Sequence, residues 1–128
     1  MPTSPRFDAA TLDMLGRVRE VRIETTSIDG ATKHKTIIWL VTAGDQAFIR
    51  SVNGTTARWY REALRRPEIV LHAEGAEIPV SAVVAADPAS IELVSDAFRA
   101  KYGRLSASST ASMIAPHTLE TTLRIEPA

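Results

Sequence analysis

Residues 36–41 read Thr-Ile-Ile-Trp-Leu-Val, "TIIWLV", an uncharged run of β-branched, aromatic and aliphatic residues. A run of this kind fits a buried central strand. The chain on either side breaks into pieces of similar length. Upstream, Arg19–Ser27 alternates, with Val21, Ile23 and Thr25 on one face and Glu20, Arg22, Glu24 and Thr26 on the other, the signature of a half-buried strand. Asp29-Gly30 between them is a hairpin turn pair. Downstream, Gly44-Asp45 turns the chain again and Ala47–Val52 reads as a third strand.

Further out, Asp8 caps a short first helix anchored by Leu12 and Leu15. A second helix is predicted over Thr56–Arg66, ended by Pro67. Ile69–Ala73 and Ile78–Ala85 form a strand pair about Gly75. Asp87-Pro88 opens a helix with the apolar stripe Ile91, Val94, Phe98 and Tyr102, stopped by Gly103. Residues 104–117 are rich in Ser and Ala and carry no clear periodicity. The last segment alternates Leu119, Thr121, Leu123 and Ile125 against Glu120, Thr122, Arg124 and Glu126. Six strands joined mostly by tight turns predict a mainly β (β + α) fold, an antiparallel sheet closed into a small barrel with short flanking helices. Most strand pairs lack the helical crossover that parallel pairing needs.

The 128 residues are expected to form one domain, with Met1–Pro5 a loose tail. Lys+Arg and Asp+Glu are both 15, so no global field draws the protein to nucleic acid or to an anionic membrane, and any cationic site must be local. Cysteine is absent, which removes disulfides and zinc–thiolate sites. No signal sequence and no apolar run of about 18 residues is present, so a cytoplasmic protein without membrane partners is expected.

Chemistry concentrates in residues 50–61, "RSVNGTTARWYR". At about 100° per residue, Trp59, Tyr60, Ala63 and Leu64 share one helix face, and Arg58, Arg61 and Arg65 fall within roughly 60° on the other. Arg61 and Arg65 read as solvated surface charge. Arg58 lies in the first turn, where free backbone N–H groups and a cation can hold an anion. A second cationic cluster, Lys33-His34-Lys35-Thr36, opens the "TIIWLV" run, with Lys33 and Lys35 on one face and His34 and Thr36 on the other. Two such clusters converging on a barrel rim suit a phosphorylated ligand; charges guarding a strand end are the plain alternative. His34, His72 and His117 show no pairing with carboxylates at ligand spacing, so no metal site is expected. His72, inside "IVLHAE", reads as a satisfied strand residue. Nucleophile elbows, Walker loops and dinucleotide fingerprints are absent from the sequence.

The pattern resembles the FMN-binding split-barrel superfamily (pyridoxamine phosphate oxidase-like), and within it the small deazaflavin-dependent nitroreductase-type branch. Four stretches carry the likeness: "TTSIDGATKHKTIIWLV", "AFIRSVNGTTARWYREALRRPEIVLHAEG", "IPVSAVVAAD" and "TLRIEPA", together spanning roughly residues 17–126. The resemblance implies a six-stranded antiparallel split β-barrel that forms a homodimer with its site at the interface. It also implies an FMN or deazaflavin cofactor and hydride transfer to a small oxidised substrate. Carried over, the phosphate contacts would be Lys33, Lys35, Thr36, Arg50, Ser51, Asn53, Gly54 and Arg58. The ring would lie near Ile37, Ile38, Trp39 and Val52. The chain departs from the nitroreductase-type pattern in having Val52-Asn53-Gly54 where a Gly-Gly pair is common. Its Ser-rich segment 104–117 supplies no obvious proton donor beyond Tyr102. These departures motivate an alternative, a non-catalytic split barrel that binds another small ligand or none. A nucleic-acid-binding barrel is disfavoured by neutral charge and 5% aromatic residues.

Overall fold

The computed structural model describes residues 6–128, so the expected tail at Met1–Pro5 lies outside the described residues. Helix α1 (Ala9–Arg17) starts where Asp8 accepts a 2.7 Å bond from the Thr11 N–H, and it buries Leu15. Strands β1 (Val21–Thr26) and β2 (Lys33–Ile38) form the first hairpin, with Gly30 at φ 80° in its turn. Val21, Ile23 and Thr25 point inward, as their alternation requires.

The "TIIWLV" run is where the expected count of six strands fails. Among the described residues the sheet has seven strands, because the run is two strands, β2 and β3 (Leu40–Ala43), separated by Trp39 alone. Ile38 is the last partner of β1, opposite Val21, and from Leu40 onward the chain pairs with β4 (Gln46–Ile49) instead. With β5 (Glu68–Ala73), β6 (Ala76–Val84) and β7 (Leu123–Pro127), the order is β2-β1-β5-β6-β7-β4-β3. Every pairing in it is antiparallel. The two outermost strands are neighbours in the chain, so the sheet curls until its edges meet at Trp39. A continuous apolar run hides this change of partner. Ile38 and Leu40 face the interior, Val41 on the other face is covered by helix α3 (Pro88–Tyr102), and Ile37 is left open.

Two cores result. Val21, Ile23, Leu40, Ile49, Leu71, Leu123 and Ile125 fill the inside of the curl, closed by Trp59 and Tyr60 of helix α2 (Arg58–Arg65). Val41 and Phe48 on the opposite face pack under Val94, Phe98 and Tyr102 of α3, the stripe read from sequence, and under Met113 of helix α4 (Ala107–Met113).

Two other boundaries and one buried position differ from expectation. The helix predicted over 56–66 is a 3-10 turn (Gly54–Thr56) followed by α2, because Ala57 is extended between them. Leu64 does not join the buried face and is 45% exposed; Glu62 takes that place at 2%. The closing strand starts at Leu123 rather than Leu119. Helix α5 (Pro116–Leu119) precedes it, and the buried hydroxyls of Thr121 and Thr122 bond back to the carbonyls of Thr118 and Leu119.

Candidate functional site

The joint after β4 is built inward. Arg50 continues the parity of Phe48 and so turns under α3 and α4, where it is 1% exposed. Its Nε donates to Thr122 Oγ1 (2.8 Å), Nη1 to Ser95 Oγ (2.9 Å) and to the Met113 carbonyl (3.3 Å), and Nη2 to the Ile91 carbonyl (2.8 Å). All four acceptors are neutral, and no carboxylate pairs with this guanidinium among the described residues. Burial, with a smaller contribution from the like charge of Arg99, lowers its pKa to about 10. Arg50 therefore ties helices α3 and α4 and the turn at Thr122 to the sheet and stays charged at neutral pH.

Ser51 is also buried; its N–H donates to Thr121 Oγ1 (2.9 Å) and its own Oγ has no partner. Gly54 has φ 69°, and a Cβ there would lie 3.0 Å from the His117 carbonyl oxygen. His117 Nε2 in turn donates to the Val52 carbonyl at 2.7 Å. The glycine is required by a close approach of the chain itself, since α5 fills the space beside the loop.

Beside this joint lies a cleft of about 410 Å³, lined by residues from five places. The β2–β3 junction gives Thr36, Ile37, Ile38 and Trp39, and the joint gives Arg50, Val52 and Asn53. Trp59 comes from α2, Ser109, Ser112 and Met113 from α4, and Glu20 from the approach to β1. Trp39 stacks on Tyr102 with ring centroids 3.9 Å apart and planes 6° from parallel.

Seven of the residues expected at the site thus meet in one cleft, and five do not. Lys33 lies on the outer face with its Nζ 2.8 Å from Thr26 Oγ1, and Lys35 faces the same way, opposite Glu24 in register. Arg58 is exposed at the head of α2, its Nε 4.0 Å from Glu62. Ser51 and Gly54 are buried in the joint and outside the lining. Of the four cations proposed for one phosphate, Lys33, Lys35 and Arg58 do not line the cleft, and Arg50 does so with its guanidinium bonded to internal acceptors.

Several residues escaped the sequence reading. Glu62 sits under α2, accepting from Thr25 Oγ1 (2.7 Å) and His34 Nδ1 (3.0 Å). Burial pushes its carboxyl pKa up, but the bonds from Thr25 and His34 more than offset this and hold it below the usual value. The local signal was ambiguous: at about 100° per residue Glu62 falls between Arg58 and Trp59, on the border of the two helix faces. His72, read as a satisfied strand residue, has its Nε2 2.9 Å from Glu24 Oε1, whereas the pairing of His34 with Glu62 was not visible in local spacing. Tyr102 is no proton donor to the cleft. It is fully buried, donates to the Arg19 carbonyl at 2.7 Å, and burial pushes its pKa up to about 12. The Ser-rich segment supplies a wall through α4, which periodicity could not reveal in so short a helix.

A protein-family model described as "Uncharacterized protein conserved in bacteria (DUF2255)" matches residues 11–125. No curated protein matches the chain. Among solved structures, a pyridoxamine 5'-phosphate oxidase candidate from Listeria innocua is 15% identical with a TM-score of 0.64, over 92% of this chain and 90% of that one. The F420-H2 dependent reductase FDR-A is 13% identical with a TM-score of 0.61, over 84% and 94%. HutZ, the heme storage protein of Vibrio cholerae, is 11% identical with a TM-score of 0.64, over 96% and 91%. At such identities the likeness is one of fold, and the fold is the split barrel that the sequence resembled.

Proposed function

The chain belongs to the bacterially conserved, uncharacterized family DUF2255 and folds as a split barrel, and from that premise we propose that it binds a flavin-type cofactor, FMN or a deazaflavin, in the cleft at the β2–β3 junction. The observation that carries this reading is the convergence of Thr36–Trp39, Val52 and Asn53 on one cleft at the point where the sheet's edges meet. Its volume falls within the range of small-molecule sites, and its mixture of indole, aliphatic and hydroxyl groups suits a planar ring with polar edges.

The lining fits the ring better than the phosphate. Arg50 is spent on internal acceptors, and Glu20 adds a negative charge. A phosphate would extend beyond the cleft, where Lys35 and Arg58, each next in sequence to a lining residue, are the cations within the chain's reach, with Lys33 further along the same strand face. Bound there, the cofactor would supply hydride chemistry toward a small oxidised substrate. The chain's own part is to hold the ring against Ile37, Ile38 and Val52 and to exclude water with Trp39, Trp59 and Met113. Glu20 is a hydrogen-bond acceptor on the open side. Ile37 and Val52 are 56% and 44% exposed at the rim, which supports a second copy of the chain as the cover and hence a homodimer.

The second reading, a non-catalytic split barrel, is favoured by the burial of Tyr102 and by the absence of other proton donors of acidic or phenolic type in the cleft besides Glu20, among the described residues. Heme is a poorer fit, since none of His34, His72 and His117 lines the cleft. Thermal unfolding of the purified protein with FMN or a deazaflavin tests the proposal. A ligand at 100 times its Kd adds about 2.7 kcal/mol of stability. No stabilisation and no absorbance shift with either cofactor would sink it; cofactor binding with no turnover of any hydride acceptor would favour the non-catalytic reading.

A further inference from the structure

We infer that Trp39 is a fixed stacking platform, so that the cleft selects its ligand by a planar conjugated ring and only secondarily by an anionic group. The inference rests on the cleft being the ligand site and adds which residue does the selecting.

The indole of Trp39 is held from behind. Tyr102 covers one of its faces at 3.9 Å and 6°. Tyr102 is itself immobile: it is fully buried, its hydroxyl donates to the carbonyls of Arg19 (2.7 Å) and Leu40 (3.3 Å), and Phe98 lies 6.2 Å from it. Lys101 Nζ binds that same Leu40 carbonyl at 2.6 Å, fixing the backbone one residue beyond the indole. On both sides of Trp39 the neighbours Ile38 and Leu40 are locked inward, 8% and 0% exposed. With one face taken, what Trp39 offers the cleft is its other face and its edges. Aromatic rings prefer offset stacking on such a surface, and a platform already ordered loses little freedom when a ring lands on it.

The rest of the lining cannot select by charge as effectively. Glu20 repels an anion, Arg50 has its bonds made, and Asn53, Ser109 and Ser112 are neutral. Trp59 lines the same cleft, so both tryptophans of the chain report on it.

The experiment uses the full-length protein with two probes, riboflavin and FMN, which share the ring and differ in the phosphate. Wild type should bind both, with affinities within about tenfold of each other and with quenching of the flavin emission by the stacked indole. Trp39→Leu should weaken both probes by about tenfold or more and lose the quenching, while Trp39→Phe stays within about threefold of wild type. In Trp59→Phe the remaining emission comes from Trp39 and should fall more steeply on ligand addition than that of Trp39→Phe. This comparison stands even if Trp39→Leu folds poorly. Trp39→Leu binding and quenching like wild type would overturn the platform alone and leave the flavin site intact. Binding of FMN with none of riboflavin would overturn it in favour of anion selection. Binding of neither probe by wild type would remove the flavin reading and the platform together.

Discussion

Gly54→Ala puts the packing of the strand-to-helix joint to a quantitative test. Two costs add. At φ 69° a residue with a Cβ pays for the left-handed conformation, about 1–2 kcal/mol. The new Cβ would also stand 3.0 Å from the His117 carbonyl oxygen and 3.4 Å from its Cδ2. Relief requires moving α5, whose Thr118 is fully buried and whose neighbour Thr121 accepts from the Ser51 N–H. Overpacking of this kind costs about 1–3 kcal/mol, so the total should be about 2–5 kcal/mol. Gly44→Ala and Gly75→Ala are the controls: their φ values are 62° and 80°, with nothing within 4 Å of the added carbon. They should lose only the conformational part, about 1–2 kcal/mol. Urea unfolding with a shared m-value measures all three. Equal losses across the set would refute the claim that His117 closes the loop.

Glu62→Leu strands the Thr25 hydroxyl and the His34 imidazole, and should cost on the order of 2–4 kcal/mol in denaturant unfolding, with Glu62→Gln losing less because it still accepts from Thr25. The folded-state pKa of Glu62 is lowered, so its stabilisation is present above the ordinary value of 4.5 and is lost as pH falls below it; Glu62→Gln should flatten that part of the acid limb. Lys101, lowered to about 8 by burial, binds fewer protons folded than unfolded between about pH 8 and 10.5, so stability should rise with pH there. Lys101→Met should abolish that rise, and a wild-type slope that persists in the variant would contradict the assignment. Lys35→Ala and Arg58→Ala, outside the cleft lining, should leave riboflavin affinity within about twofold of wild type; a tenfold loss would show that the cleft has been drawn in the wrong place.

Much of this was legible in the sequence where one face of an element is buried. The alternation in 19–27 put Val21, Ile23 and Thr25 inward, and the helical stripe put Val94, Phe98 and Tyr102 in the core. The break at Trp39 was not legible, since a strand that exchanges one partner for another keeps its parity and its apolar character through the exchange. Arg50 was singled out, but a buried guanidinium among neutral oxygens has the same local sequence as one that meets a phosphate. Glu62 was missed because its partners, Thr25 and His34, lie 37 and 28 residues away and only the fold assembles them. The cleft residues from β2 and the joint were named from resemblance and local pattern, whereas Ser109, Ser112 and Met113 come from a segment without periodicity, and the alternation that placed Glu20 gave no link to the cleft.

The most direct test is a crystal structure of the protein grown with FMN. The account predicts ring density between Trp39 and Trp59, over the Thr36–Ile38 backbone and beside Ser109 and Ser112, with the phosphate outside the cleft toward Lys35 or Arg58. An FMN bound elsewhere, or with its phosphate seated among Ser51, Asn53 and Gly54 and its ring away from Trp39, would contradict it.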